Sequence, residues 1–207
     1  MKKILISLVA FVFATSAFAK EVTLLMDWFP QGNQSGYWQA EFDNRYHTDV
    51  TIKVKAGGPK VNTTTAVASG QVEFGLQASD SVMLANAKGA GLKGIFVSLD
   101  HVPYTLVYHP NTGVNSVKDL DGRPFAVKMG VTYWKWVKHT YGLNNVKEFP
   151  LTGDLGLFAR TPQQFQQGYS LFLPARLDAK GVANEQITVE SLGYRPYSCL
   201  LYTSPSP

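Results

Sequence analysis

Apolar and polar positions alternate most clearly at Val50, Ile52, Val54 and Ala56, which interleave with Thr51, Lys53 and Lys55. A period of two predicts a half-exposed strand, ended here by Gly57-Gly58-Pro59. Apolar, partly β-branched runs starting at Val22 and spanning 72–77, 92–99, 104–108 and 124–128 predict further strands. Between them, 35–42, 62–69, 82–88 and 133–141 read as helices. Gly70 and Gly89 close two of these, and Ser79 or Asp80 caps the third. The order β-α-β-α-β-α-β through residue 108 predicts a parallel sheet covered by helices on both faces. At 109–113 the chain changes character. A short capped helix, the strand 124–128, a Gly loop and an aromatic helix then repeat the opening logic in a second lobe. Beyond it, 163–167 reads as helix-like, 169–173 as a strand and 175–180 as helix-like.

The stretch 22–38, VTLLMDWFPQGNQSGYW, runs from strand to Pro/Gly/Asn loop to helix start. An α/β lobe presents a ligand site at such a carboxyl end of a strand. The tip carries Asp27, Trp28, Phe29, Asn33 and Tyr37. Trp28 and Phe29 are neighbours and point to opposite faces, so one turns to the core and the other to the loop. Ser79 and Asp80 follow the third strand, and Met129, Gly130 and Trp134 follow the strand of the second lobe. Aromatic rings at two such junctions suit a planar solute held by stacking, with polar groups fixing its orientation. The bland alternative for Trp28 and Phe29 is packing at a lobe edge; for Trp134 and Trp136 it is core packing of one helix, and Trp136 is assigned to it.

Composition narrows the function class. Residues 1–19 combine Lys2-Lys3, an apolar run and Ala17-Phe18-Ala19, the pattern of a secretory signal peptide, so an exported chain starting at Lys20 is expected. The formal net charge is +4, of which Lys2 and Lys3 contribute two, and the basic residues are scattered; nothing points to nucleic acid. The single cysteine, Cys199, excludes an internal disulfide and a Cys-based metal site. Gly89-Ala90-Gly91-Leu92-Lys93-Gly94 follows a helix and precedes a strand, the reverse of what a dinucleotide needs. The four histidines form no i, i+4 pair, and no nucleophile elbow, zinc motif or P-loop is present. No catalytic residue, metal or cofactor is assigned.

The segment DWFPQGNQSGYW resembles the first ligand loop of periplasmic solute-binding proteins for thiamine pyrimidine precursors and their sulfonate- and nitrate-binding relatives. VASGQVEFGLQASD, VNSVKDLDGRPFAVKMG, QQGYSLFLPARLDAKGV and LGYRPYS extend the resemblance to about residues 22–198. It implies a two-lobed α/β periplasmic binding protein of type II-like plan, with lobe 1 over 20–109 and lobe 2 over 110–198. It also implies a monomer that delivers a small solute to the permease and ATPase subunits of an inner-membrane ABC importer. An Asp accepts from an exocyclic amine or ring N–H, which fits an aminopyrimidine. A sulfonate or nitrate would want an Arg or free backbone N–H groups, and Arg45, Arg123 and Arg160 lie away from the tips. A pyrimidine-making enzyme, as among fungal relatives, would carry a Cys-rich motif. Two departures stand out. Leu173 occupies a position where the family commonly has Glu before a proline. After Ser198 the family continues with further strands and helices, whereas 199–207 end in Ser and Pro, so a truncated chain with a disordered, non-native tail is expected.

Overall fold

The computed structural model describes residues 20–43 and 49–205; the expected signal peptide lies outside them. The chain opens with β1 (Lys20–Leu25), a 3-10 turn (Gly32–Gln34), α1 (Ser35–Asp43) and β2 (Val50–Lys55). It continues through α2 (Thr63–Ala68), β3 (Phe74–Gln77), α3 (Ser79–Asn86) and β4 (Lys93–Leu99). Then come β5 (Tyr104–Tyr108), a 3-10 turn (Val117–Leu120), β6 (Pro124–Val127), α4 (Thr132–Tyr141), β7 (Lys147–Pro150) and α5 (Gly156–Arg160). The last elements are β8 (Phe165–Tyr169), α6 (Leu173–Asp178), β9 (Glu185–Thr188) and β10 (Ser198–Thr203).

These strands form two five-stranded sheets on one plan, β2-β1-β3-β10-β4 and β7-β6-β8-β5-β9. In each, three strands are parallel and the fourth runs antiparallel to both of its neighbours. That fourth strand is the first one laid down after the chain crosses between sheets. β4 and β5, expected in one parallel sheet, therefore belong to different lobes. The first crossing falls at 100–103 rather than at 109, and the chain returns to the first sheet after β9.

The larger correction concerns the tail. Residues 198–203, expected to be disordered beyond Ser198, are β10, an inner strand paired with both β3 and β4. Cys199 and Tyr202 are buried, in two adjoining clusters of the first lobe with Leu24, Met26, Leu76 and with Val67, Val82. Ser-Cys-Leu-Leu-Tyr-Thr shows no alternation because an inner strand is covered on both faces, so its apolar and polar positions need not take turns.

The second lobe has its own core, in which Leu106, Phe125, Val127, Tyr133, Trp134 and Phe165 are buried together. Here the segment expected to be helix-like, 163–167, belongs largely to β8, and the expected strand 169–173 leads into α6. Glutamine hid this strand. Gln164, Gln166 and Gln167 are all buried, and their amides are paired: Gln164 donates to Gln166 at 3.1 Å and the Lys128 N–H donates to Gln167 at 2.8 Å. α4 ends where expected, because Gly142 takes up a left-handed φ of 70° and its N–H closes on the Lys138 carbonyl. Gly57 admits no side chain: a Cβ there would lie 2.1 Å from the Met26 carbonyl oxygen, so β2 can end tight against the loop that follows β1.

Candidate functional site

The carboxyl ends of β1 and β6 face one another across the two lobes, and a cleft of about 810 Å³ opens between them. Pockets of a few hundred to about 1,000 Å³ suit small solutes. β1 delivers Asp27 and Trp28 to one wall; β6 delivers Lys128, followed by Met129 and Gly130, to the other.

Asp27 is almost wholly buried and accepts a hydrogen bond from Gln34 at 3.1 Å. Burial pushes its carboxyl up to about 6; the Lys128 ammonium and the Gln34 bond oppose the rise without cancelling it. Lys128 is displaced the other way, its ammonium held below the usual lysine range by burial and supported by Asp27. The ammonium spans the cleft, 3.4 Å from the Asp27 backbone oxygen and 5.4 Å from the centre of the Trp28 ring. Aromatic rings make the adjoining wall: Tyr104 stacks on Tyr133 at 4.6 Å and meets Tyr169 edge-on at 5.3 Å. The Tyr133 hydroxyl is buried with no hydrogen-bond partner among the described residues. Leu173, where the family commonly has Glu, lines the cleft as a buried apolar side chain.

Asp80 also lines the cleft, but its carboxylate is engaged. It accepts from the Ser81 N–H at 2.6 Å and, in a short bond, from the Tyr194 hydroxyl. Tyr194 packs on Trp136 of α4, so this bond ties the first lobe to the second. Burial, and after it the bond to and charge of Asp80, hold the phenol well above its usual range.

Of the residues singled out from sequence, the cleft brings together Asp27, Trp28, Asp80, Met129 and Gly130. The others lie elsewhere. Phe29 is 45% exposed and meets Trp28 edge-on at 5.5 Å, its ring over Gly58. Asn33 donates to the Cys199 sulfur at 3.6 Å, and Tyr37 donates to Ser98 at 3.1 Å, both within the first lobe. Ser79 gives its backbone N–H to the Tyr197 carbonyl. Trp134 is buried in the second core, edge-on to Phe125 at 4.7 Å, and its neighbour Tyr133 is the α4 ring that reaches the cleft. Trp136, assigned to packing, does pack, against Tyr141 and Tyr194. Sequence reasoning missed Lys128, Tyr104, Gln167 and Tyr169. The position of Lys128 directly after the strand in PFAVKMG carried a signal, since it mirrors that of Asp27 after β1.

Among the described residues no three His, Cys, Asp or Glu side chains gather as a metal site, and no helix is long and apolar enough to cross a membrane.

Two sheets of identical plan with a solute-sized cleft between opposed strand ends make up the fold of the two-lobed periplasmic binding proteins. Solved structures bear this out. The aliphatic sulphonate binding protein SsuA from Escherichia coli matches with a TM-score of 0.63 at 14% identity, over 90% of this chain and 62% of that one. A substrate binding protein of an ABC uptake transporter from Streptococcus pneumoniae, with bound histidine, matches with a TM-score of 0.63 at 13% identity, over 89% and 79%. The family profile described as NMT1/THI5 like matches residues 33–145, and the chain belongs to that family. A curated relative, 4-amino-5-hydroxymethyl-2-methylpyrimidine phosphate synthase of Legionella pneumophila, is 27% identical over 118 residues. That match spans 53% of this chain and 35% of the relative's length.

Proposed function

We propose that this protein is the extracytoplasmic solute-binding component of an ABC importer and that it captures an aminopyrimidine, a precursor of the thiamine pyrimidine, in the interlobe cleft. One observation carries the ligand class: a buried carboxylate, Asp27, stands beside the Trp28 ring at the cleft wall. An aminopyrimidine offers a flat ring to stack and adjacent N–H donors for a carboxylate that burial has made a strong acceptor. The name of the Legionella relative contains such a pyrimidine. In this reading the chain is exported by way of residues 1–19, works in the periplasm as a monomer, and passes its solute to permease and ATPase subunits.

It is a carrier, not a catalyst. Its one thiol, Cys199, is buried in β10 and pushed up to about 12, which leaves it a poor nucleophile. The runner-up ligand class, an alkanesulfonate or nitrate, gains support from Lys128, a cation in the cleft where none was expected from sequence. Calorimetric titration with 4-amino-5-hydroxymethyl-2-methylpyrimidine, taurine and nitrate separates the classes. Binding of the pyrimidine alone is the expected result. Tight binding of taurine or nitrate, with none of the pyrimidine, would hand the site to the runner-up.

A further inference from the structure

We propose that the cleft captures its solute together with one proton from solvent, which Asp27 and a ring nitrogen of the solute share; this rests on the aminopyrimidine reading above. The edge of an aminopyrimidine carries a donor, the exocyclic N–H, beside an acceptor, the bare ring nitrogen. An ionised carboxylate has acceptors only. The exocyclic N–H finds its partner, but the second carboxylate oxygen and the ring nitrogen then bring two lone pairs face to face. One added proton between them completes the pair, and no covalent bond of the solute changes.

The protein sets where that proton goes. Gln34 Nε2 donates to Asp27 Oδ1 at 3.1 Å, so this oxygen stays an acceptor, with a lone pair left for the exocyclic N–H. The added proton falls on the side of Oδ2. Asp27 and Gln34 are both almost wholly buried, so little water stands by to separate the lone pairs. Burial has already brought the carboxyl up to about 6, and a neutral solute adds burial without adding charge. The Lys128 ammonium, 3.4 Å from the Asp27 backbone oxygen, opposes protonation by its charge. Tyr104 of β5, Tyr169 of β8, and Cys199 and Tyr202 of β10 lie near enough to feel Asp27, but burial pushes each of them up and they stay neutral while it titrates. Asp80, the other carboxylate lining the cleft, is held by Ser81 and Tyr194. Lys60, Lys88 and Arg176 also line the cleft, but none of them shifts the Asp27 carboxyl.

Calorimetry with 4-amino-5-hydroxymethyl-2-methylpyrimidine at about pH 7.5, in phosphate and in Tris, reads the proton directly, because the two buffers release protons with different heats. Unliganded Asp27 is largely ionised at that pH. The heats should differ between the buffers by the amount for uptake of about one proton per solute, and affinity should fall by up to about tenfold per pH unit above that. Asp27→Asn puts a fixed N–H where the added proton would sit, so it should bind with buffer-independent heats and a flat pH profile. Equal heats in the two buffers for the parent protein, as when the Lys128 ammonium donates to the ring nitrogen instead, overturn the assignment and leave the aminopyrimidine reading intact. So does a folded Asp27→Asn that fails to bind or that retains the uptake. If the pyrimidine does not bind the parent at all, the aminopyrimidine reading fails and this assignment falls with it. Should Asp27→Asn not fold, the two-buffer comparison on the parent still decides.

Discussion

Replacing Tyr202 by alanine tests whether β10 is part of the folded core. Tyr202 is fully buried and packs with Val67, Val72 and Val82 beneath α2 and α3. Its ring lies so close to Gly75 of β3 that a Cβ there would sit 2.7 Å from the ring carbon bearing the hydroxyl. Truncating a large buried aromatic to alanine removes the transfer free energy of the ring and leaves a cavity, together about 3–5 kcal/mol. Domains of this size have total stabilities of about 5–15 kcal/mol, so the loss is a large fraction of the whole. For a chain of roughly 150–250 residues each kcal/mol moves the midpoint by about 2–4 °C, giving a fall of roughly 6–20 °C. Thermal melts followed by far-UV circular dichroism, with urea titrations in parallel, measure it. A disordered tail would give no change. A melting temperature for Tyr202→Ala within a degree or so of the parent would refute the packing described for β10, at a level set by that same scaling.

Other expectations follow from the charges and contacts of the cleft. Asp27 is raised from the usual 3.8 to about 6, so the folded state keeps a proton over a range in which the unfolded chain has lost it. Its contribution favours folding at low pH and is lost as pH rises from about 4 through 6, by at most about 3 kcal/mol. Urea midpoints of the protein relative to Asp27→Asn should therefore fall between about pH 5 and pH 7.5, and parallel profiles would contradict the burial of the carboxylate. Tyr194→Phe removes the hydroxyl that bonds Asp80 across the lobes, so the unliganded protein should become more open, read as a larger radius of gyration by solution scattering; an unchanged radius would show that the bond does not hold the lobes together. Cys199, buried and pushed up to about 12, should resist iodoacetamide in the native protein and react on unfolding, and rapid native alkylation would place the thiol at the surface.

The fold was legible in sequence where one face of an element is covered and the other is wet. β2, with Val54 inside and Lys53 and Lys55 outside, declared itself by alternation. α4 did so by its aromatic face and Gly142 cap, and β1 by ending in a Pro/Gly/Asn loop. Strands covered on both faces did not. β8 carries two buried glutamines, Gln166 paired with the adjacent Gln164 and Gln167 with the distant Lys128 N–H, and β10 carries Ser and Thr beside Leu and Tyr. The pairing of β10 depends on strands 100 residues and more upstream, which local periodicity cannot reveal. The site follows the same logic. Asp27 and Trp28 were legible because a strand-to-loop junction exposes its tip. Lys128 was passed over because cations were sought among arginines, and a lysine ending a strand is ordinarily a solvated edge residue. Only the opposition of β1 and β6 turns its side chain into a part-buried bridge across the cleft. Trp134 and Tyr133 show the limit of reading a helix: adjacent rings on one turn face different surroundings, and the pattern alone does not say which faces the cleft.

The central claim is that Asp27 and Trp28 hold the solute, and its most direct test is the affinity of an aminopyrimidine for Asp27→Ala and Trp28→Ala. Losing a stacked ring costs about 0.5–1.5 kcal/mol beyond the lost area. Leaving buried donors of the solute unpaired costs about 1–3 kcal/mol. At 1.4 kcal/mol per decade each variant should bind roughly tenfold or more weakly by calorimetry, with folding confirmed by its melt. Pyrimidine binding at parental affinity in both variants would show that the loop after β1 serves packing alone and that the solute sits elsewhere.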